Sequence, residues 1–308
     1  MRRLWICGLL LLWAFGAAAQ TVYVPWNARR TLRCTTAQGR ELRPCRMRRG
    51  DTLDRQGVRF VRLPRLQIVL CIGQSNMAGR GSLDAAARDT LDGVWLLDAE
   101  GRFAPAVEPL NRYSTVRKEL GMQQVGPAGG FASAFVGMTG RPVGLVVNAR
   151  GGTSIDEWIG PKGQLLDAAL ARLRAAQEWG EVVGVLWHQG EADAAHPQRY
   201  EARLRLLAER LRAELNDPRL PLVFGQIARW NWTRRPEGTA PFNAMLRGLR
   251  LPHTACVGSE GLEPMKDESD PHFSAASQRE LGRRYAAALR RLLEENKPNR
   301  KINESNEN

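Results

Sequence analysis

Short apolar runs alternate with longer amphipathic segments from about residue 66 onward. Six runs are apolar at nearly every position, which is typical of parallel strands covered on both faces; they span residues 67–72, 94–97, 142–147, 182–187, 221–224 and 254–257. Three longer segments repeat apolar residues at spacings of three and four, with arginines on the opposite face; these are residues 165–179, 199–215 and 275–293. Strands that alternate with helices predict a three-layer α/β/α sandwich around a central parallel sheet.

The N-terminus carries the pattern of an export signal. Arg2 and Arg3 precede an uncharged, mostly apolar run over residues 4–19, and Ala17 and Ala19 occupy the small positions that a signal peptidase recognises. The run is short for a membrane span, which needs about 20 residues. We therefore expect cleavage after Ala19 and a periplasmic or secreted protein without a stable membrane anchor; an uncleaved anchor is the alternative.

The rest of the chain divides into a short appendage and one large domain. Residues 20–65 are rich in arginine and contain Cys34 and Cys45. In an oxidising compartment these two cysteines could form a disulfide within a small β element. We expect residues 66–295 to form the large domain and the polar residues 296–308 to form a disordered tail.

The composition is that of an ordinary globular protein, but the charge is strongly positive. Hydrophobic residues make up 43% of the chain, and 45 Lys and Arg residues against 32 Asp and Glu residues give a formal charge of +13. Loss of Arg2 and Arg3 with the export signal lowers this charge to +11. Much of the remainder falls on polar helix faces and in the appendage, and no stripe of interleaved basic and aromatic residues indicates nucleic-acid binding. We therefore interpret the charge mainly as a surface feature.

The residues that follow the predicted strands carry the candidate chemistry, because ligands of an open parallel sheet bind beyond the carboxyl ends of its strands. The first strand leads directly into Gly73-Gln-Ser-Asn-Met-Ala-Gly-Arg-Gly81. A serine at such a turn exposes its hydroxyl above the sheet, and a backbone N–H near a helix N-terminus favours a developing oxyanion. Ser75 is therefore a candidate nucleophile, and a helix cap is the structural alternative.

Later strand ends add glycines, an amide, carboxylates and an imidazole. Gly151 and Gly152 follow the third strand with backbone N–H groups that no side chain obstructs. Residues 186–193 place a Trp, a His, a Gln and two carboxylates after the fourth strand, which favours the wall of a site over an interior network. Asp270 and His272 precede the last helix, as is needed for a base whose tautomer an acid holds. A serine hydrolase could use these groups in this order.

Together these segments resemble the SGNH hydrolases. The similarity rests on Gly73-Gln-Ser-Asn-Met77, Gly151-Gly-Thr-Ser-Ile155 with Trp158, Trp187-His-Gln-Gly-Glu191, and His272-Phe273. The first and third blocks, in this order, are typical of the carbohydrate-esterase branch that contains sialate O-acetylesterases and acetylxylan esterases. The resemblance covers residues 66–293 and implies a flavodoxin-like fold.

The resemblance implies a serine esterase that removes O-acetyl groups from carbohydrates through an acyl-enzyme, without a metal or cofactor. Ser75 would be the nucleophile and His272 the general base. The oxyanion would be held by the backbone N–H groups of Ser75 and of Gly151 or Gly152, together with the side-chain amide of Gln189.

Four further residues in or beside these blocks are expected to contact the substrate: Gln74, Asn76, Arg150 and Trp158. The expected substrate is an acetylated carbohydrate, and sialic acid and acetylated xylan both stay open. Nucleic acid is not an expected partner.

The acid that orients His272 has two candidates. The usual spacing in the family is Asp-x-x-His, whereas Asp270 lies only two positions before His272, with Pro271 between them. Asp270 can reach the imidazole only through a different loop shape. Glu191 is the alternative orienter, and a Ser-His dyad supported by a backbone carbonyl is the third arrangement.

Two other functions compete with the carbohydrate esterase. A general short-chain or lipid esterase would use the same groups, and activity on longer acyl chains distinguishes it. A catalytically inactive glycan-binding protein is the second, and the presence of both Ser75 and His272 argues against it.

Overall fold

The computed structural model describes residues 20–27, 52–55, 58–160, 163–235 and 237–296. Ten strands lie in these ranges: β1 Gln20–Val24, β2 Thr52–Arg55, β3 Val58–Arg62, β4 Leu66–Gly73, β5 Val94–Leu97, β6 Phe103–Pro105, β7 Val143–Val147, β8 Gly180–His188, β9 Leu222–Gly225 and β10 Thr254–Val257. The same ranges contain seven α-helices: α1 Ser75–Ala78, α2 Pro127–Thr139, α3 Asp156–Ile159, α4 Gln164–Ala176, α5 Pro197–Leu215, α6 Ala240–Gly248 and α7 Ala275–Glu295.

The larger sheet confirms the predicted architecture. Its strand order is β10-β9-β8-β4-β7-β5-β6, and every neighbouring pair is parallel except the antiparallel pair of β5 and β6. All eight residues of the central strand β4 are buried, as a continuous apolar run predicts. One face of the sheet packs against α3 to α6 and the other against α2 and α7, which produces three layers.

The six predicted strands correspond to β4, β5, β7, β8, β9 and β10, and the three predicted helices to α4, α5 and α7. The apolar pattern does not predict α2, because its glycines are poor helix formers. These glycines allow close packing instead. A Cβ on Gly130 would lie 2.3 Å from the carbonyl oxygen of Arg279, and one on Gly282 would lie 2.2 Å from that of Pro127. Helices α2 and α7 therefore pack backbone against backbone.

The appendage contributes a separate sheet of order β1-β3-β2, in which β1 and β3 are parallel and β2 and β3 antiparallel. Its Tyr23 packs edge-on against Trp95 of β5, with ring centroids 4.7 Å apart.

The division of the chain into an appendage and a large domain at residue 65 stays a prediction. The export signal, the proposed disulfide and residues 297–308 of the tail lie outside the described residues. In the part of the chain that is described, no helix combines the length and apolar character that a membrane span requires.

Candidate active site

The turn after β4 brings the candidate nucleophile to the carboxyl edge of the sheet. Gly73 lies opposite His188 at the end of β8. It has a φ of 137°, and a Cβ there would lie 2.1 Å from the carbonyl oxygen of His188, so the position requires glycine. The N–H of Gln74 donates to the same carbonyl at 2.9 Å. The chain therefore passes directly into α1, with Ser75 as its first residue.

Ser75, His272 and Asp270 form a continuous hydrogen-bonded line. The Oγ of Ser75 lies 2.9 Å from Nε2 of His272, and Nδ1 of His272 lies 2.6 Å from Oδ1 of Asp270. A carboxylate only accepts hydrogen bonds, so Nδ1 carries the proton of the neutral imidazole and Nε2 is free to accept one. Burial lowers the pKa of His272, against an opposing effect of Asp270. The imidazole is therefore held in its neutral form, which can accept a proton.

The short spacing between the acid and the histidine is accommodated by a tight loop. Oδ1 of Asp270 accepts the backbone N–H of His272 at 2.9 Å as well as its Nδ1. The backbone carbonyl of Asp270 accepts a hydrogen bond from Nε1 of Trp230 at 2.7 Å. Trp230 also packs edge-on against Phe273, with ring centroids 5.5 Å apart. The loop shape is thus fixed on both sides of His272.

Asn76 joins the segment of the nucleophile to the loop of His272. Its Nδ2 donates to Oε1 of Glu191 at 2.6 Å and to the carbonyl of Pro271 at 3.2 Å. Its Oδ1 accepts from the N–H of Phe273 at 3.2 Å and from Nε2 of Gln278 at 2.9 Å. Asn76 is 0% exposed, so the expectation that it contacts the substrate is wrong: all of its hydrogen-bonding capacity is used inside the protein.

Glu191 lies behind Asn76 and makes no described contact with His272. Its Oε1 accepts from Asn76 and lies 3.8 Å from Nε2 of His188. Burial raises the pKa of Glu191 to about 7 and lowers that of His188 to about 3. The structure therefore places Asp270, and not Glu191, against Nδ1 of the candidate base.

Nε2 of Gln189 and Oε1 of Gln74 make contacts inside the protein. Nε2 of Gln189 lies 2.6 Å from Oδ2 of Asp193, 2.9 Å from the carbonyl of Thr153 and 3.0 Å from Oε1 of Gln74. An amide nitrogen has two hydrogens and here faces three protein acceptors. Gln189 is 1% exposed and Gln74 is 3% exposed. Nε2 of Gln189 therefore has no hydrogen left for an oxyanion, which argues against the expected role of this residue. Only Oε1 of Gln74 has a partner among the described residues, so the substrate contact of Gln74 stays a prediction.

The glycines after β7 lie beside Ser75. The N–H of Arg150 donates to the carbonyl of Gly73 at 3.0 Å, which brings the following residues to the nucleophile. A Cβ on Gly151 would lie 3.4 Å from Cβ of Ser75. Among the described residues, no protein acceptor pairs with the backbone N–H of Ser75, Gly151 or Gly152. These three donors are available to a negatively charged oxygen.

Trp158 and Arg150, the other two residues expected to contact the substrate, differ in how deeply they are buried. Trp158 is 0% exposed, donates from Nε1 to Oγ1 of Thr153 at 3.1 Å and packs edge-on against Trp187. Its expected substrate contact is therefore wrong, because the indole belongs to the core. Arg150 is half-buried and donates from Nη1 to the carbonyl of Val116 at 2.8 Å.

Two further side chains lie at the site, Arg80 and Trp230. From the sequence, Arg80 is one of the arginines that could meet the carboxylate of a sialic acid, and only Trp230 was missed. Arg80 stands in the same block as Ser75, and its Nη2 lies 2.5 Å from the position that a Cβ of Gly151 would take. Trp230 follows β9, whose carboxyl end carries no motif that indicates chemistry. The rule that ligands bind beyond strand ends would have pointed to it. Within the described ranges, no cluster of His, Cys, Asp and Glu side chains could hold a metal ion.

Comparisons with a family model, with a known relative and with solved structures agree on one protein family. A family model described as carbohydrate esterase, sialic acid-specific acetylesterase, matches residues 65–291. A probable carbohydrate esterase of Arabidopsis thaliana is 31% identical over 251 residues, which cover 73% of this chain and 91% of the relative. An X-ray structure of a protein from Arabidopsis thaliana has a TM-score of 0.65 at 28% identity and covers 74% of this chain and 99% of its own.

Two more distant structures share the fold. NanS has a TM-score of 0.57 at 17% identity, over 75% of this chain and 98% of its own. XAC1771, a carbohydrate acetylesterase from Xanthomonas citri, has a TM-score of 0.55 at 20% identity, over 83% of this chain and 64% of its own. Because the family model matches well over half of the sequence, the chain belongs to the carbohydrate esterases of the sialic acid-specific acetylesterase family.

Proposed function

We propose that this carbohydrate esterase removes O-acetyl groups from sugars by serine catalysis through an acyl-enzyme. The observation that carries the proposal is the line from Asp270 through His272 to Ser75, with contacts of 2.6 Å and 2.9 Å. These are the distances and the order that a nucleophile, its base and the orienting acid require.

In the first half of the reaction, Oγ of Ser75 attacks the acetyl carbonyl while Nε2 of His272 takes the hydroxyl proton. The negative oxygen of the tetrahedral intermediate accepts hydrogen bonds from the N–H groups of Ser75 and of Gly151 or Gly152. Asp270 holds the Nδ1 proton and stabilises the imidazolium. Collapse of the intermediate breaks the bond to the sugar oxygen, which leaves with the proton from His272.

In the second half, His272 takes a proton from water as the water attacks the acetyl-serine. A second tetrahedral intermediate forms at the same donors. It collapses as the bond from the acetyl carbon to Oγ of Ser75 breaks and Oγ takes the proton back from His272, which releases acetic acid and regenerates the free serine. Since His272 must be neutral to accept each proton, and burial lowers its pKa, activity is expected to persist below the ordinary titration range of histidine before it falls in acid.

The charge near the site favours an acidic sugar such as sialic acid over neutral acetylated xylan. Nζ of Lys118 lies 3.3 Å from the position that a Cβ of Gly152 would take, and Lys118 is exposed. The half-buried Arg150 follows β7 at the same edge of the sheet. Positive groups at the mouth of a site raise the local concentration of an anionic substrate.

The test is release of acetate from O-acetyl sialic acid, acetylated xylan and 4-nitrophenyl acetate by the wild type and by Ser75→Ala. We expect Ser75→Ala to lose activity on all three by on the order of 10⁴-fold or more. Ser82→Ala, a change at an exposed serine of the same segment, should retain it. Unchanged turnover by Ser75→Ala would contradict the mechanism, and hydrolysis of 4-nitrophenyl acetate without release of acetate from either carbohydrate would favour a general esterase.

The place of action is also a proposal. The basic, apolar and small-residue pattern of residues 1–19 supports export to the periplasm or the medium.

A further inference from the structure

The side chain of Arg80 is anchored beside the nucleophile by the backbone. Its Nη1 donates to the carbonyl of Gly79 at 2.7 Å and to that of Met122 at 2.9 Å. Its own N–H donates to the carbonyl of Val125 at 3.1 Å. Both hydrogens of Nη1 are thereby used. These bonds hold the planar guanidinium in one orientation, with Nη2 beside Gly151.

Nη2 of Arg80 lies against the glycine that supplies a proposed oxyanion donor. It is 2.5 Å from the position of a Cβ on Gly151, so it lies within about 4 Å of the α-carbon. Cβ of Ser75 is 3.4 Å from the same position. Any side chain at residue 151 would meet the guanidinium, so glycine there allows both an open N–H and the close approach of Arg80.

The charge of Arg80 is partly removed from water, and no counter-ion lies beside it in the described part of the chain. Burial lowers its pKa, and no carboxylate of the described residues pairs with it. In contrast, Arg279 forms two hydrogen bonds to Asp84, and Arg229 pairs with Glu260. The positive charge of Arg80 also contributes to lowering the pKa of His272, in agreement with its position beside the nucleophile. The two carbonyl groups satisfy hydrogen bonds of Nη1 but do not neutralise the charge, so a negative ligand beside Nη2 would be stabilised.

We infer that Arg80 is a catalytic residue that donates from Nη2 to the negative oxygen of the tetrahedral intermediate, in the place expected for Gln189. This inference rests on the proposed function. As the bond from Oγ of Ser75 to the acetyl carbon forms, the carbonyl electron pair moves to oxygen and the serine proton moves to His272. Arg80 stabilises that oxygen together with the N–H groups of Ser75 and Gly151. When the intermediate collapses, the electron pair returns and the sugar oxygen departs with the proton.

A cation at this place could instead bind the carboxylate of an acidic sugar, and the two roles have different kinetic signatures. An interaction made only in the transition state lowers kcat and kcat/KM together, whereas lost substrate binding raises KM. The neutral ester 4-nitrophenyl acetate has no carboxylate, so only the oxyanion role predicts an effect on it.

The experiment compares Arg80→Ala, Arg80→Lys and Arg229→Met with the wild type on 4-nitrophenyl acetate and O-acetyl sialic acid. We expect Arg80→Ala to lower kcat about 10²- to 10³-fold on both substrates, with KM changed by less than about threefold. Arg80→Lys keeps the positive charge but lacks the planar guanidinium, so its kcat should lie between the values of the wild type and Arg80→Ala. Arg229→Met removes an exposed, ion-paired arginine at the same edge of the sheet and should behave as the wild type.

Two further measurements separate the possible causes. Guanidinium chloride at millimolar concentration should restore part of the activity of Arg80→Ala. The same addition should not increase the activity of the wild type. The acid limb of the pH profile of Arg80→Ala should move to higher pH, because loss of the positive charge raises the pKa of His272.

Wild-type kcat on 4-nitrophenyl acetate in Arg80→Ala would overturn the inference, as would a rise in KM confined to O-acetyl sialic acid. If Arg80→Ala does not fold, Arg80→Lys decides: unchanged kcat in that variant overturns the inference, and loss of kcat at constant KM supports it. A wild type inactive on every acetyl ester would overturn the proposed function itself, and the role of Arg80 would fall with it.

Discussion

Two sets of polar side chains meet at the carboxyl ends of β4 and β8, and they differ in their surroundings. Ser75, His272 and Asp270 form a line that is partly open, since the side chain of His272 is 22% exposed and that of Asp270 is 14% exposed. Asn76 and Glu191 lie behind this line and are buried, with hydrogen bonds only to other protein groups in the described part of the chain.

The difference separates reacting groups from supporting groups. A reacting group must reach the substrate and change its charge, so it needs an open side and a neighbour that stabilises the charged form. A supporting group must hold one orientation, which fixed hydrogen bonds provide. Among the described residues, both polar side-chain atoms of Asn76 have two partners each, whereas Glu191 is held through Oε1 and its buried Oε2 has no partner. Residue type does not distinguish the two sets, because each has a carboxylate close to an imidazole. Asp270 lies by His272, and Glu191 lies by the buried His188.

Replacing each carboxylate by its amide tests this distinction most strongly. We expect Asp270→Asn to lower kcat about 10³- to 10⁴-fold, because the amide favours the wrong tautomer of His272 and cannot stabilise the imidazolium. Glu191→Gln should lower kcat less than about tenfold, since its amide oxygen can still accept from Nδ2 of Asn76. The measurement is kcat on 4-nitrophenyl acetate for both variants. The reverse order of effects would give the acid role to Glu191.

The fold could be predicted from the sequence because its signals are local. The run over β4 is apolar at almost every position, and this pattern is typical of a strand with both faces covered. Helices α5 and α7 carry regular apolar faces. Helix α2 escaped prediction because its glycines serve contact with α7, and that contact depends on a partner about 150 residues later in the chain.

The reacting residues of the site were predicted better than their supports. Ser75 and His272 stand at strand ends in the order that a hydrolase requires, and the structure brings them within 2.9 Å. Whether a neighbouring polar side chain points out to substrate or into the protein depends on the tertiary packing around it. Asn76 and Trp158 were therefore given substrate contacts, although both are fully buried.

Removal of the support at Asn76 should affect both stability and catalysis. Asn76→Ala leaves the carboxyl of Glu191, the carbonyl of Pro271 and the N–H of Phe273 without a partner, so we expect the free energy of unfolding to fall by about 2–4 kcal/mol. The loop of His272 loses its tie to Ser75, and kcat should fall about tenfold or more at unchanged KM. Urea unfolding and steady-state kinetics measure the two effects.

Asn243→Ala is the matched control for this variant. Asn243 is a buried asparagine whose side chain bonds to both backbone groups of Ile227 at 3.0 Å, and it makes no described contact with the catalytic line. We expect Asn243→Ala to lose a similar amount of stability and to keep kcat. Equal losses of kcat in the two variants would mean that Asn76 acts only through general stability and does not position His272.

The smallest effect concerns the proton on Glu191. Burial, with a smaller contribution from the neighbouring charge of Asp193, raises the pKa of this carboxyl from 4.5 to about 7. The folded protein therefore holds the proton more tightly than the unfolded chain, so its contribution to stability is fully present below about pH 4.5 and is lost as the pH rises through 7. Glu191→Gln has no such proton to lose. Its Tm relative to the wild type should accordingly rise by a few degrees between pH 5 and pH 8, roughly 2–4 °C per kcal/mol for a chain of this size. Thermal unfolding across this pH range measures the change, with Glu100→Gln, a change at an exposed carboxylate, as the control. A difference in Tm that stays constant with pH would show that Glu191 ionises as an ordinary carboxylate. The contrast between Glu191 and Asp270 would then depend on their positions alone.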